Sequence, residues 1–116
     1  MDVIDRALSA HAAIKESLKR AIRDSSGLDP ETIRSDRNCE FGQWIYGQEG
    51  VLHCGQPEYQ ALKDTHRRFH LSAHAALCLC RAGRAAEAER SILDGDFERL
   101  SGEMKQRLVS LRKAIR

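Results

Sequence analysis

Three long segments of this chain carry apolar side chains at alternating steps of three and four residues. They cover residues 2–25, 58–82 and 96–115. This spacing gives each segment one apolar stripe, which is typical of an amphipathic helix that buries the stripe against a neighbour. A further helical segment is predicted over residues 84–93, after a stop or bend at Gly83. The pattern therefore predicts an all-α fold, specifically an antiparallel four-helix bundle.

The region between the first two long helices consists of short elements. The run Ser25-Ser26-Gly27 is expected to end the first helix. Asp29 is a suitable N-cap before a proline, and it predicts a short turn of helix. Asn38 closes a polar loop and is expected to cap a second short helix over residues 39–47. The bundle should therefore contain an inserted short helix.

The composition argues against several other classes of protein. The length of 116 residues suits one domain, and a single domain over residues 1–116 is predicted. A net charge of +2 is too small for a surface that follows phosphates, so no nucleic-acid partner is expected. The longest mostly apolar run, residues 73–80, is too short to span a bilayer, and the first residues lack a secretory pattern. In an unsecreted chain, four cysteines favour thiols or metal binding over disulfides.

Histidines occupy positions where the core of the bundle should lie. His11 falls in the stripe of the first helix, and His66 falls in the stripe of the long central helix. One buried imidazole is most often a hydrogen-bonded core residue, but two on different helices, with others nearby, favour a metal site. Residues 66, 70 and 74 are histidines four apart, and the helical phase turns His66 and His70 toward the core. His74 falls at the edge of solvent, so we expect a surface residue or one beside the site.

Cys39 offers a different type of ligand. At the start of a short helix, the helix dipole and the free N–H groups stabilise a thiolate, which is the form that a zinc site requires. Gly42 lies inside the same helix, where glycine is unfavourable, and this suggests that the backbone approaches another segment closely. The alternative is a buried structural cysteine with a tolerated glycine. Phe41, Trp44 and Ile45 are expected to anchor the segment on the bundle.

The other three cysteines are weaker candidates. Cys54 follows His53 in a glycine-rich turn, and adjacent residues seldom ligate one tetrahedral ion together. Cys78 and Cys80 are two apart on a helix and point in different directions. Cys80 fits the core stripe as a small apolar side chain.

The combined set contains three imidazoles and one thiolate: His11, Cys39, His66 and His70. This nitrogen-rich, soft donor set suits Zn²⁺ best among the common ions. Four protein ligands close the coordination shell and leave no position for a reacting water. Hydrolytic catalysis is therefore not expected, and the chain is not expected to be an enzyme.

These residues resemble the pattern of the chemoreceptor zinc-binding domain family of bacteria, often abbreviated CZB. The family pattern is a histidine on the first helix, then Cys-x-hydrophobic-Gly-x-aromatic, then His-x-x-x-His. Here these are His11, the run Cys39-Glu40-Phe41-Gly42-Gln43-Trp44 and the run His66-Arg67-Arg68-Phe69-His70. The motif spans residues 11–70, and the flanking helices match the family's layout over nearly the whole chain. One departure is Ile14, where the family usually has an aromatic residue or leucine.

The resemblance implies a bacterial, cytoplasmic four-helix bundle with a zinc site of three histidines and one cysteine. Members of the family are attached to chemoreceptors or to diguanylate cyclases, and some stand alone. They are thought to sense zinc or oxidants, to regulate the output of their partner, and often to act as homodimers. The function implied is therefore a sensory or regulatory one, in chemotaxis or in cyclic di-GMP signalling.

Three other functions are compatible with part of the pattern. A structural, zinc-stabilised dimerisation module would use the same ligands without a sensing role. A di-iron bundle would need carboxylates at helical spacing from the histidines, and no glutamate stands four residues after or three residues before any of them. A Cys–His enzyme could pair Cys39 with His66, but neither an oxyanion element nor an orienting carboxylate is apparent.

Overall fold

The computed structural model describes residues 2–24 and 29–115 of the chain. Within these residues the chain is helical and has no strand, so the all-α prediction is confirmed. The helices in this part of the chain are α1 (Val3–Asp24), α2 (Pro30–Arg34), α3 (Glu40–Tyr46), α4 (Gln48–Val51), α5 (Pro57–Arg81), α6 (Ala85–Asp94) and α7 (Asp96–Ala114). The predicted stop at Ser25-Ser26-Gly27 lies outside the described residues. None of the helices just named combines the length and the apolarity that a membrane crossing requires.

Helix α5 is the centre of the packing, since it contacts α1, α2, α6 and α7. The stripes predicted for α1, α5 and α7 face the core. Their buried members are Ile4, Ala7, His11, Leu18, Ala21, Leu62, His66, Phe69, Ala73, Leu77, Phe97, Met104, Leu108 and Leu111. Cys80, which was expected to continue the stripe of α5, is only half-buried. Each large apolar side chain in this set contributes about 1.5–3 kcal/mol through its removal from water.

Gly83 ends α5. Its φ of 79° lies in the left-handed region, which glycine adopts without a steric penalty. The N–H groups of Gly83 and Arg84 donate to the carbonyls of Cys80 at 3.2 Å and Leu79 at 2.8 Å, and these bonds satisfy the end of the helix. The chain then folds back, so that α6 packs against α5.

Helix α3 begins one residue later than the sequence predicts. The sequence favours Asn38 as its N-cap, but the N-cap is Cys39, whose Sγ accepts a hydrogen bond from the Gly42 N–H at 3.3 Å. The Asn38 side-chain amide donates instead to the Thr32 carbonyl at 3.1 Å. Because Asn38 ties the loop back to α2, the capping position passes to the cysteine.

Helix α3 is anchored by apolar side chains as well as by its cap. Phe41 and Ile45 are 2% and 1% exposed and belong to the core, and Trp44 packs against it. A Cβ atom on Gly42 would overlap the carbonyl oxygen of Asp36. The close approach predicted at Gly42 is therefore confirmed, and the neighbouring segment is the loop that precedes the helix.

Candidate metal centre

The structure brings four predicted ligand side chains together from three parts of the chain. His11 comes from α1, His66 and His70 come from α5, and Cys39 comes from the start of α3. One nitrogen from each histidine and the Cys39 Sγ all lie within 4.8 Å of one another. We call these four residues the metal centre. The three histidines are 5% exposed or less, and Cys39 is half-buried.

The spacing of the donor atoms matches a tetrahedral zinc site. The Nε2 atoms of His11 and His66 are 3.2 Å apart, and the Cys39 Sγ lies 3.3 Å from His66 Nε2 and 4.0 Å from His11 Nε2. Zinc–nitrogen bonds of about 2.0–2.1 Å and zinc–sulfur bonds of about 2.3 Å, at tetrahedral angles, separate two nitrogens by about 3.3 Å and a nitrogen and sulfur by about 3.6 Å. These three donors are therefore spaced about as they would be around one Zn²⁺, and the His70 donor lies within 4.8 Å of each of them.

The histidine rings carry buried nitrogens that lack hydrogen-bond partners. These atoms are His11 Nδ1, His66 Nδ1 and His70 Nε2. The other nitrogen of His70, Nδ1, is 2.9 Å from the Ile33 carbonyl oxygen, so it carries the hydrogen and Nε2 is left as a lone pair. A buried lone pair without a partner costs free energy, and a cation at the centre would relieve that cost at His70 Nε2. The residues present thus fit a zinc ion.

Burial keeps the three imidazoles neutral. It lowers the pKa of His66 to about 2, with the neighbouring rings of His70 and His11 adding to the effect. The pKa of His11 falls to about 4, first through burial and then through His70. Burial also lowers the pKa of His70, although the Ile33 carbonyl and the Asp36 carboxylate oppose the shift. Neutral imidazoles are the form that binds metal, so protons do not compete for these nitrogens near neutral pH.

The thiol of Cys39 behaves differently from the sequence expectation. Its position at a helix start was expected to favour the thiolate, and the N–H groups of Gly42 and Phe41 do lower its pKa. Burial has the larger effect, however, and the net pKa of Cys39 is raised. The helix start alone therefore does not ionise this sulfur, and a bound cation is needed to displace its proton.

Two groups lie on the outer side of the metal centre, and sequence reasoning missed them. The Asp36 carboxylate accepts a hydrogen bond from the Tyr46 hydroxyl at 2.6 Å and lies 3.9 Å from His66 Nδ1. The Ile33 carbonyl fixes the ring of His70. The available signal is the position of Asp36 three residues before Cys39, in a run that by sequence alone indicates only a polar loop.

The remaining histidine and cysteine candidates lie outside the metal centre. His74 is half-buried beside it, as the helical phase predicts, and its Nδ1 is 3.0 Å from the Pro30 carbonyl oxygen. Cys54 and Cys78 are exposed, and Cys80 is half-buried with a pKa raised by burial. The structure brings none of these four into the cluster of His11, Cys39, His66 and His70.

Comparison with known proteins gives one match. The family model described as the chemoreceptor zinc-binding domain matches residues 11–77, a range that contains all four residues of the metal centre. No curated protein and no solved structure matches the chain.

Proposed function

Because this chain belongs to the chemoreceptor zinc-binding domain family, we propose that it is a regulatory domain whose single Zn²⁺ is held by His11, Cys39, His66 and His70. The observation that carries this assignment is the convergence of three neutral imidazoles and one thiol within 4.8 Å in the core. Bound Zn²⁺ would supply the positive charge that keeps the Cys39 sulfur ionised. With four protein ligands the shell is closed, which supports regulation rather than catalysis.

We further infer that residues 1–116 form one zinc-binding domain, an antiparallel four-helix bundle with α3 inserted to deliver Cys39. The domain would act in the cytoplasm of a bacterium, as a homodimer, on a chemoreceptor or a diguanylate cyclase. Zinc or an oxidant would be the signal. Membership of a family named for chemoreceptors and the inward-facing thiol support this function.

Metal content tests the ligand assignment. Purified protein should carry close to one tightly bound zinc per chain by elemental analysis. His11→Ala and His66→Ala should lower the zinc content sharply, because each removes a buried donor. His74→Ala is the matched control on the same helix and should leave the content almost unchanged. Loss of zinc from His74→Ala but not from His66→Ala would contradict the assignment.

Zinc affinity separates sensing from a purely structural role. A sensor must release zinc within the range of concentrations that a cell experiences, whereas a structural dimerisation module need not. Titration of the holoprotein with chelators of graded strength, followed with a fluorescent zinc indicator, measures this affinity. Zinc that only the strongest chelators remove slowly would favour the structural module over the sensor.

Cys39 is the element of the metal centre that an oxidant can change. Its thiolate sulfur would take one oxygen atom from hydrogen peroxide, giving the sulfenic acid and hydroxide, and a sulfenic acid is a weaker zinc ligand. The three histidines lie on packed helices, so the bundle should survive. Phe41 and Ile45 are buried, and we therefore expect the loop at residues 35–40 to loosen more than α3 itself.

Hydrogen exchange of residues 36–47 tests this switch. Mild oxidant or Cys39→Ser should weaken zinc binding and raise the exchange rate of that segment, while the helix content stays similar. Equal protection before and after treatment, with Cys39 shown by mass spectrometry to be oxidised, would eliminate the oxidant switch. The zinc-sensing function would remain open to the chelator titration.

A further inference from the structure

A second pair of soft donor atoms lies on the outer surface of α5. His74 and Cys78 are one helical turn apart, and the Cys78 Sγ is 3.5 Å from His74 Nε2. Cys78 is exposed and His74 is half-buried, so the pair is open to solvent on one side. Neither residue belongs to the metal centre.

Helix α2 fixes the ring of His74 in the same way that it fixes the ring of His70. His70 Nδ1 lies 2.9 Å from the Ile33 carbonyl, and His74 Nδ1 lies 3.0 Å from the Pro30 carbonyl. In each ring the N–H is at Nδ1, and the lone pair at Nε2 points away from α2. A backbone carbonyl that holds the outer nitrogen of a ligating histidine is a common feature of metal sites. For His70 the free lone pair faces the metal centre, and for His74 it faces Cys78.

We propose that His74 and Cys78 form a second, exposed site for a thiophilic divalent cation such as Zn²⁺. The observed distance of 3.5 Å between Nε2 and Sγ is close to the separation of about 3.6 Å that a nitrogen and a sulfur have on one tetrahedral zinc. In the metal-free pair the thiol hydrogen points at Nε2. The cation takes the place of that hydrogen, the sulfur binds as thiolate, and the proton passes to solvent.

The site differs from the metal centre in affinity and exchange. Two protein donors leave two tetrahedral positions for water, so the cation binds more weakly than at a four-ligand site and exchanges with solution. Purification would empty such a site while the metal centre keeps its zinc. Zinc occupancy of the two sites can therefore be measured separately, and a result that contradicts one site does not contradict the other.

Thiol alkylation tests the second site on protein that already carries one zinc per chain. Iodoacetamide is added at increasing free Zn²⁺, and mass spectrometry follows Cys78 and Cys54 in the same molecule. Both thiols are exposed, so Cys54 is an internal control. Zinc should slow the alkylation of Cys78 severalfold and leave that of Cys54 unchanged. His74→Gln should abolish the protection, because the amide does not reproduce the imidazole lone pair.

Calorimetric titration of the zinc-loaded protein with further Zn²⁺ gives an independent readout. A second, weaker equivalent should bind to the wild-type chain and to Cys54→Ser but not to Cys78→Ser, whose exposed position leaves folding undisturbed. The second site would be overturned by the absence of a second equivalent, by equal protection of Cys54 and Cys78, or by protection that persists in His74→Gln.

Discussion

The core of this protein has a polar half and an apolar half, and Phe69 contacts both. The polar half contains the metal centre, and the ring centroids of His11 and His70 lie 5.1 Å and 5.7 Å from the ring centroid of Phe69. The apolar half contains the buried side chains of α6 and α7, and the ring of Phe97 lies 5.0 Å from Phe69. Phe69 therefore lies between buried side chains that need polar partners and buried side chains that need none.

The two halves of the core need different interactions in order to be stable. In the apolar half, burial alone is favourable, because the side chains other than Ser101 carry no hydrogen-bonding groups. In the polar half, His70 Nε2 is buried without a hydrogen-bond partner, which costs about 1–3 kcal/mol, and the Nε2 atoms of His11 and His66 face each other 3.2 Å apart. We therefore expect the apolar half to fold with or without metal and the polar half to depend on zinc.

The largest effect should come from the apolar half. Phe97→Ala removes a fully buried ring and should lower the free energy of unfolding by about 3–5 kcal/mol. The cost should be the same in excess zinc and in chelator, as measured by urea denaturation. Val109→Ala, at an exposed position on the same helix, is the control and should change stability by less than about 0.5 kcal/mol. A much smaller cost of Phe97→Ala in chelator would mean that the apolar half also needs the metal.

A methyl group at Gly42 should damage the polar half selectively. Gly42→Ala forces the new Cβ into the Asp36 carbonyl, so the loop before α3 must shift and carry Cys39 with it. We expect a loss of about 1–3 kcal/mol in the zinc-loaded protein and a smaller loss in chelator.

Gly102→Ala is the matched control for this substitution. Gly102 lies in α7, and a Cβ there meets no atom within 4 Å. The change should therefore raise stability by about 0.5–1 kcal/mol in both conditions, because alanine favours a helix interior. If Gly42→Ala proved as harmless as Gly102→Ala, the close approach to Asp36 would not constrain the metal centre.

Much of this fold could be predicted from side-chain periodicity. The apolar stripes predicted the bounds of the long helices to within a residue or two. The helical phase distinguished His66 and His70, which face the core, from His74, which does not. The cap of α3 could not be predicted in this way. Asn38 is the better capping residue by type, but its side-chain amide donates to the Thr32 carbonyl instead. That competition depends on how the loop folds back on α2, which local sequence does not encode.

Sequence could not reveal the two groups on the outer side of the metal centre, Ile33 and Asp36, for a related reason. Ile33 acts through its carbonyl, and every residue has a carbonyl, so no side-chain pattern marks it. Asp36 stands in a polar loop that resembles any solvated turn until the chain folds. The net rise in the pKa of the Cys39 thiol could not be predicted either. Burial raises this pKa more than the helix start lowers it, and only the folded chain determines burial.

The charge of Asp36 should contribute to zinc affinity within the polar half. Asp36→Asn keeps an oxygen for the Tyr46 hydroxyl but removes the negative charge 3.9 Å from His66 Nδ1. Partners that hydrogen-bond a ligating histidine typically change metal affinity by about 10–100-fold, and Asp36 acts on His66 through its charge alone. We expect a loss of about 10-fold, measured by competition with a chromophoric chelator, while stability in chelator changes little.

Asp64→Asn provides the same change of charge on the exposed side of α5. Asp64 pairs with Arg67 and Arg68 at 3.0 Å and is 46% exposed, so its loss should leave zinc affinity unchanged. Equal effects of the two substitutions would show that only the net charge of the protein matters.

The smallest effect should come from the cap of α2, which reaches the metal centre through His70. Asp29 accepts hydrogen bonds from the Glu31 N–H at 3.3 Å and the Thr32 hydroxyl at 2.8 Å. Asp29→Ala should lower the free energy of unfolding by about 1 kcal/mol, whereas Asp29→Asn keeps a capping oxygen and should lower it much less.

Because α2 presents the Ile33 carbonyl to His70 Nδ1, a frayed α2 should also let the His70 ring change its tautomer. Nitrogen NMR of the imidazoles in metal-free protein would detect this as a mixture of Nδ1–H and Nε2–H forms in Asp29→Ala and a single Nδ1–H form in Asp29→Asn. A single tautomer in both variants would mean that the core alone orients His70, and the polar half would then depend on α2 no more than the apolar half does.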